Sequence, residues 1–323
     1  MDNNFNEQPT YVKPRNKLVD ILLAILKSVG YIGIWLGVQI TFIFGFTIVL
    51  AILNPYMSGE EVLNTVNSLS LELTFATNII SLAIFILIYK ILNKSFLNKI
   101  KADLPDKRSI FPSCVLGACG QFTTLFFLGM IIMFLPKGWV DSFEQTSDII
   151  ENANELMSFL VAVILAPIFE EILCRGLILN TLSRVMHKWV AIVLSSAIFG
   201  IIHGNPIQFI YATALGILLG WIYTKTDSIL IPILCHLTFN LTSTLLQYVN
   251  TGNAIASIIL SLVMYASIPI FTLCIVYFCL RSFNKPREEK IKELLPYTPN
   301  SEYRIDALEK IQADINSENG DNI

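Results

Sequence analysis

Residues 155–182 form an apolar run, ELMSFLVAVILAPIFEEILCRGLILNTL, that is long enough to cross a membrane as a helix. The run nevertheless contains Glu170, Glu171 and Arg175. A charged side chain at the centre of a spanning helix costs about 2.5–3.5 kcal/mol on insertion scales, so three such charges are hard to explain without a function. The run therefore predicts a dry site that needs two carboxylates and a guanidinium.

The composition of the whole chain indicates that lipid surrounds most of it. Hydrophobic residues make up 54% of the 323 residues and charged residues only 15%, whereas a soluble domain has about 25% charged residues. The mean hydropathy of +0.62 points the same way. The net charge of −3 gives no sign of a nucleic-acid partner. We therefore expect the lipid bilayer and membrane-embedded or membrane-associated proteins or peptides as partners, and no nucleic acid.

Stretches of about twenty apolar residues recur along the chain and predict an all-α, polytopic membrane helix bundle of about eight transmembrane helices. Turn-forming Asn, Pro and Gly residues separate the stretches. The fifth stretch is short, so a re-entrant or broken segment is an alternative there. The predicted spans are 28–53, 71–92, 110–135, 155–182, 189–204, 206–224, 229–249 and 254–280.

Lysine and arginine are distributed unevenly between the two sides of the predicted bundle. They are frequent in the amino-terminal tail, in the 90–108 loop and from residue 281 onward, whereas the loop near residue 140 is mainly acidic. Because cytoplasmic loops carry an excess of these residues, the bias predicts a multi-pass protein with both termini in the cytoplasm. We expect it in the plasma membrane of a bacterium.

The same patterns divide the chain into three parts. Residues 1–17 are predicted to be a polar cytoplasmic tail, and residues 18–282 the membrane helix bundle. Residues 283–323 are predicted to be a charged cytoplasmic tail, in which apolar residues at nearly helical spacing predict a short amphipathic helix.

Polar residues in three of the apolar stretches are spaced so that they can face one cavity. Glu171 and Arg175 are four residues apart and share a helix face, where they can pair. His236 and Asn240 have the same spacing, and His203 ends the fifth stretch. We therefore expect these side chains to gather at the carboxylates of the fourth stretch.

The surroundings of Glu170 also follow from helical geometry. Glu170 is turned about 100° from Glu171, so it projects along a neighbouring face where another helix could present His203. Pro167 has no backbone N–H and should leave a carbonyl free one turn before Glu170. Phe199 is interpreted as a packing residue. Counting about 1.5 Å per residue places His203 near the far end of its span, which a re-entrant fifth segment would correct.

Three motifs occur in order on successive apolar stretches: EExxxR at 170–175, FxxxH at 199–203 and HxxxN at 236–240. Together they resemble the CAAX-protease and bacteriocin-processing (CPBP, or Abi) family of membrane proteases. That family includes the type II CAAX prenyl endopeptidases and the lysostaphin-resistance-A-like proteins. The resemblance covers residues 154–249, which we expect to be the catalytic core of the bundle.

The resemblance implies an intramembrane endopeptidase that hydrolyses a peptide bond of a membrane-associated protein or peptide. CAAX-type proteins, leader peptides and envelope proteins all belong to this substrate class. The catalytic positions that it implies are Glu170, Glu171, Arg175, His203, His236 and Asn240.

The chemistry of these residue types suggests how they would act. Glu170 would take a proton from a water molecule that His203 helps to hold. His236 and Asn240 would donate to the oxyanion that develops on the scissile carbonyl. Arg175 would hold its neighbouring carboxylate in place and shape the local field.

A metal ion is the competing arrangement. Two histidines and one glutamate form a known catalytic zinc set, and His203, His236 and Glu170 would supply it. The HExxH signature of soluble metalloproteases is absent from the sequence. Asn240 is a poor zinc ligand and a good hydrogen-bond donor. We therefore favour no cofactor, with zinc as the alternative.

Two other functional classes compete with the peptidase. The first is a catalytically silent or regulatory membrane partner, acting in bacteriocin immunity or envelope maintenance. The second is a proton-coupled transporter that uses glutamate and histidine as a relay. The sequence shows no internal repeat, and its motifs cluster in one part of the chain, which counts against the transporter.

Overall fold

The computed structural model describes residues 17–151, 154–249 and 252–281, and within these ranges the chain forms eleven helices and no strand. The predicted all-α, polytopic bundle is therefore confirmed. The helices are α1 Lys17–Leu53, α2 Gly59–Ser68, α3 Ser70–Ile91, α4 Phe96–Ile100, α5 Lys107–Ile131, α6 Lys137–Glu151, α7 Glu155–Leu182, α8 Lys188–Ile201, α9 Pro206–Thr226, α10 Leu230–Leu246 and α11 Ala254–Leu280.

Six of the described helices are long and apolar enough to cross a membrane, namely α1, α3, α5, α7, α9 and α11. Helices α8 and α10 are apolar but have only 14 and 17 residues. At about 1.5 Å per residue they measure roughly 21 and 26 Å, less than the hydrocarbon thickness of about 30 Å. All eight predicted spans thus coincide with helices, while the count of eight crossings stays a prediction.

Three further helices lie between the spans. Helix α2 begins at Ser58, whose side chain accepts from the backbone of Glu61 while Glu61 accepts from the backbone of Ser58. This capping box fixes the start of the helix. Helices α4 and α6 are the other two, and sequence reasoning predicted none of the three. The two predicted tails, 1–17 and 283–323, lie outside the described residues except for Lys17, which begins α1, and the amphipathic helix predicted near the carboxyl terminus is not described either.

Helix α7 forms the centre of the described bundle. It packs against α1, α3, α8 and α10, and residues such as Leu173, Leu177 and Ile178 are completely buried. In the most apolar window of each helix, 44% of the residues of α7 are buried, against none in α1 and 6% in α11. The charged run seen in the sequence is therefore, together with α9 at the same 44%, among the most buried of the long apolar helices, and α1 and α11 present most of their surface to the surroundings.

Candidate active site

Helix α7 is irregular on both sides of its paired glutamates. Phe159–Leu165 and Ile172–Leu179 are π-helical, and they flank the short α-helical stretch Ala166–Glu171. A π-helix bonds each N–H to the carbonyl five residues earlier, and such turns are rare and frequent at functional sites. The irregular turns change the direction of the side chains that follow, so the motif 170–175 does not present its residues as a straight α-helix would.

Pro167 explains how the first π-helical turn ties α7 to α10. The N–H of Ala166 bonds to the carbonyl of Val161, five residues earlier. The next bond in that register would run from residue 167 to the carbonyl of Ala162, but proline has no N–H. The Ala162 carbonyl instead accepts from Asn240 Nδ2 at 2.8 Å. Pro167 thus accounts for a carbonyl that Asn240 uses, but this carbonyl lies about two turns before Glu170 and not one turn before it, as the sequence had predicted.

Arg175 joins three helices in the interior of the bundle. Its side chain and that of Glu171 are both 0% exposed, and Arg175 Nη1 donates to Glu171 Oε1 at 2.8 Å. Nη2 donates to the backbone carbonyl of Gly216 on α9 at 2.9 Å. The guanidinium carbon lies 4.5 Å from the centre of the Phe199 ring of α8. The predicted pair is thus formed, and the arginine also binds a carbonyl and an aromatic face.

His236 completes a buried charge network around Glu171. Its Nδ1 lies 2.9 Å from Glu171 Oε1, the oxygen that also accepts from Arg175, and its side chain is only 3% exposed. A carboxylate accepts, so Nδ1 carries the hydrogen and the other nitrogen points away from Glu171. That nitrogen, Nε2, lies 3.8 Å from Glu170 Oε2. We call Glu171, Arg175 and His236 the buried network.

Glu170 lies at the edge of the buried network, where the site opens. Its side chain is 21% exposed, whereas the three side chains of the network are 0–3% exposed. Two adjacent carboxylates therefore differ in surroundings: Glu171 is fully buried and accepts from Arg175 and His236 through Oε1, whereas Glu170 is partly exposed beside His236.

His203 lies in the turn after α8, on the other side of Phe199. Its Nδ1 lies 2.7 Å from the Phe199 carbonyl and therefore donates to it, which leaves Nε2 for other partners. The His203 and His236 rings lie 4.9 and 5.6 Å from the Phe199 ring, both edge to face. Phe199 is indeed a packing residue, as interpreted, but it packs between Arg175 and both histidines. It sets their spacing.

Two glycines bring His203 inward. A Cβ at Gly200 would lie 2.2 Å from Thr213 Oγ1, so only glycine lets α8 pack this closely against α9. Gly204 has φ +68°, a conformation that favours glycine, and it turns the chain directly after His203. Helix α8 ends at Ile201, so His203 lies in the turn that follows it, while its depth in the membrane stays a prediction.

The six positions named from the sequence are not equally close. Glu170, Glu171, Arg175 and His236 contact one another, and His203 joins them through Phe199. Asn240 lies one helical turn beyond His236 but donates to Ala162 and not to a carboxylate. Sequence reasoning missed the carbonyls of Gly216 and Ala162. Pro167 signals the second of these, while nothing in the sequence signals the first.

The donor atoms also bear on the zinc alternative. Among the residues that the structure describes, no group of three His, Cys, Asp or Glu side chains is arranged to hold a metal ion. Of the three candidate zinc ligands, Glu170 and His236 lie 3.8 Å apart, between Oε2 and Nε2. A zinc ion held by His203, His236 and Glu170 would require these side chains to move closer together.

Comparison with known proteins finds two matches to this part of the chain. The family model described as "Type II CAAX prenyl endopeptidase Rce1-like" matches residues 152–242, which include every residue of the site. The Bacillus subtilis (strain 168) protein named "Putative membrane peptidase YdiL" is 31% identical over 138 residues, 42% of this chain. The match spans 57% of that relative. No solved structure matches the chain significantly.

Proposed function

We propose that this chain is an intramembrane endopeptidase of the CAAX-protease and bacteriocin-processing family, which the match of residues 152–242 to the type II CAAX prenyl endopeptidase model supports. Its substrate class is a membrane-embedded or membrane-associated protein or peptide, and water is the second reactant. The helices around the site are apolar enough to lie in lipid, so such a substrate can reach the site from the membrane.

The contrast in burial between two neighbouring carboxylates carries the proposal. Glu171 is fully buried and its Oε1 accepts from both Arg175 and His236, whereas Glu170 is partly exposed and points toward His236 Nε2. A structural ion pair needs only the first carboxylate. The second serves as a base because a water molecule and a peptide carbonyl can approach it.

In the first step Glu170 accepts a proton from water, and the water oxygen forms a bond to the scissile carbonyl carbon. The carbonyl electron pair moves to oxygen and forms an oxyanion. In the second step Glu170 returns the proton to the amide nitrogen as the carbon–nitrogen bond breaks. The products are a carboxyl group and an amine, and Glu170 is regenerated.

His236 serves as an oxyanion donor when its ring is protonated. Because Nδ1 donates to Glu171, Nε2 carries a hydrogen only in the cationic ring. With His236 protonated, two negative charges on Glu170 and Glu171 balance two positive charges on Arg175 and His236. A balanced set is less costly to bury than a net charge, which supports this protonation state.

Asn240 and His203 are proposed to hold the reactants. One hydrogen of the Asn240 amide is used on Ala162, so the second remains for the oxyanion. His203 keeps Nε2 for a water molecule because its Nδ1 is bonded to Phe199. Each proposed role therefore uses an atom that the existing hydrogen bonds leave unoccupied: the second amide hydrogen of Asn240 and Nε2 of His203.

The same hydrogen bonds favour a zinc-dependent form of the reaction as the second candidate. Zinc-binding histidines usually donate their other N–H to a carboxylate or carbonyl, as His236 and His203 do through Nδ1. His203, His236 and Glu170 would hold the ion, which when bound supplies a water molecule that loses its proton near neutral pH.

The proposal is tested by incubating the purified chain, in lipid vesicles, with prenylated and unprenylated membrane peptides and identifying products by mass. Wild type should cleave at least one peptide, and Glu170→Gln should not. Glu155→Gln is the matched control, because Glu155 lies exposed at the start of the same helix. This variant should cleave the peptide as wild type does. Equal cleavage by Glu170→Gln would contradict the base, and no cleavage by any form would favour the silent partner.

We also propose that both termini lie in the cytoplasm, on the lysine and arginine bias of the sequence. Cysteines introduced near residues 140 and 290 of a cysteine-free chain should be labelled from opposite sides of the membrane. Labelling of both from one side would contradict the proposed topology.

A further inference from the structure

A second polar cluster lies at the end of the bundle where α1 begins and α3 and α7 end. Its centre is Lys99 of α4, which is half-buried and whose Nζ donates to Thr181 Oγ1 of α7 at 2.9 Å. The Thr181 hydroxyl itself donates to Leu177, so its oxygen accepts from Lys99. Within the described residues this neutral hydroxyl is the hydrogen-bond partner of the ammonium, and no carboxylate pairs with it.

Four other cations act on Lys99. Burial first, and then the positive charges of Arg184, Lys27, Lys101 and Lys94 in that order, together lower the pKa of Lys99 to about 7. Of these four, Lys101 pairs with Asp227. Lys27, Lys94 and Arg184 are exposed. We call Lys27, Lys94, Lys99 and Arg184 the cation cluster.

The backbone holds the cation cluster in a fixed arrangement. Asn180 of α7 donates to the carbonyl of Lys99 at 2.8 Å and also bonds to the hydroxyl of Tyr223 on α9. The adjacent residue Ile100 is 4% exposed. Lys99 is therefore positioned by α7 and α9, and its distance from the other cations does not depend on a mobile surface loop.

The usual excess of lysine and arginine on the cytoplasmic side does not account for this arrangement. That excess needs only exposed residues near the membrane ends, such as Lys27 and Lys94. It gives no reason to place a half-buried lysine against a neutral hydroxyl among like charges, an arrangement that disfavours the charged ammonium and that a bound anion would relieve. The arrangement is complete when an anion lies between Lys99 and the exposed cations.

We propose that the cation cluster binds a phosphate-bearing anion and that the anion is the headgroup of an acidic phospholipid. Lys27 lies within α1, Lys94 three residues after α3 and Arg184 two residues after α7, which is the level of headgroups. Exposed apolar residues, Leu26 and Leu92, stand beside these cations in the sequence and can contact acyl chains. Basic pockets between spanning helices at this level bind acidic headgroups.

The test uses the purified full-length chain in detergent from which lipid has been removed, with the midpoint of thermal unfolding, Tm, as the readout. Phosphatidylglycerol, phosphatidylcholine and inorganic phosphate are titrated separately. Lys99→Met keeps the approximate side-chain length and removes the charge. Arg184→Gln removes a charge at an exposed position, where the substitution should not disturb packing. Lys107→Met is the matched control, since Lys107 is exposed and lies outside the cation cluster.

Phosphatidylglycerol should raise the Tm of wild type and of Lys107→Met, and phosphatidylcholine should do so much less. The apparent affinity for phosphatidylglycerol should fall about fivefold or more in Lys99→Met and in Arg184→Gln, which corresponds to the loss of one basic contact with the headgroup. Without lipid, Lys99→Met should be no less stable than wild type, because it removes like-charge repulsion.

Equal effects of the two lipids, or an unchanged response in both variants, would overturn the proposal. A full Tm shift with inorganic phosphate alone would support an anion site and overturn the lipid headgroup as its source. Should Lys99→Met fail to fold, Arg184→Gln decides the outcome. The readout is independent of peptide cleavage, so failure here would leave the proposed function untouched.

Discussion

Helix α7 contributes to two groups of polar residues that differ in their charges. One group pairs opposite charges, and the other brings like charges together. Near its middle, Glu171, Arg175 and His236 alternate in charge and hydrogen-bond one another with almost no exposure. Near its end, Thr181 contacts Lys99 among like charges. The first group pairs opposite charges within the protein, with Glu170 at its partly exposed edge, whereas the second brings like charges together and is proposed to bind an anion from outside the described chain.

Breaking the buried network should have the largest effect on stability. Arg175→Met leaves Glu171 as a buried charge without its cation, and removing one partner of such a pair typically costs about 3–5 kcal/mol. We expect a loss of this size in the free energy of unfolding, measured by denaturant titration in detergent. A loss below about 1 kcal/mol would mean that the pair contributes little to the fold.

Arg175→Lys sharpens the same point. An ammonium keeps the charge but cannot reach Glu171 and the Gly216 carbonyl with a planar fork, nor stack on Phe199 as a guanidinium does. The variant should fold with reduced stability and turn over more slowly than wild type. Turnover equal to that of wild type would mean that only the positive charge of Arg175, and not its guanidinium geometry, matters for the reaction.

The contrast between Arg175 and its contacts also shows how far the sequence leads. Helical spacing correctly paired Glu171 with Arg175, and Pro167 indicated a carbonyl without a helical donor, although it placed that carbonyl one turn too close to Glu170. The Gly216 carbonyl could not be predicted, because every residue has one and only the packing of α9 on α7 selects it. The π-helical turns were missed for a similar reason, since they are stabilised by contacts distant in the sequence.

Asn240 tests the oxyanion role with a smaller expected effect on stability. Asn240→Ala removes the donor to Ala162 and the second amide hydrogen. Turnover should fall about 10²–10³-fold, the usual effect of removing one oxyanion donor, which corresponds to about 2.7–4 kcal/mol. Asn253→Ala is a control, because Asn253 is an asparagine outside the site that caps α11. A change of less than about threefold in Asn240→Ala would assign Asn240 to packing alone.

Metal content separates the two forms of the proposed reaction. If zinc takes part, active protein should contain about one zinc per chain, and His236→Ala should lose it. Chelation followed by zinc should then switch cleavage off and on. If Glu170 acts on water directly, chelation should leave cleavage unchanged. Elemental analysis beside a chelator titration measures both.

The smallest expected effect concerns the second polar group. Lys101 pairs with Asp227 at the surface, where both side chains are more than a third exposed, so breaking the pair should cost less than about 1 kcal/mol. Lys101→Met should therefore lower stability slightly, while Lys99→Met in lipid-free detergent should not lower it. An equal loss of stability in Lys101→Met and Lys99→Met would contradict the difference drawn between a lysine paired with a carboxylate and one that is not.

The division of labour between Glu170 and Glu171 is the central claim, and one paired measurement tests it most directly. Turnover and Tm are recorded for Glu170→Gln and Glu171→Gln under the same conditions. Glu170→Gln should abolish turnover, because its amide cannot accept the proton, and it should lower the Tm much less than Glu171→Gln, because Glu170 is partly exposed and makes only the longer contact with His236. Glu171→Gln should lower both. Turnover in Glu170→Gln, or a Tm loss as large as that of Glu171→Gln, would contradict the account.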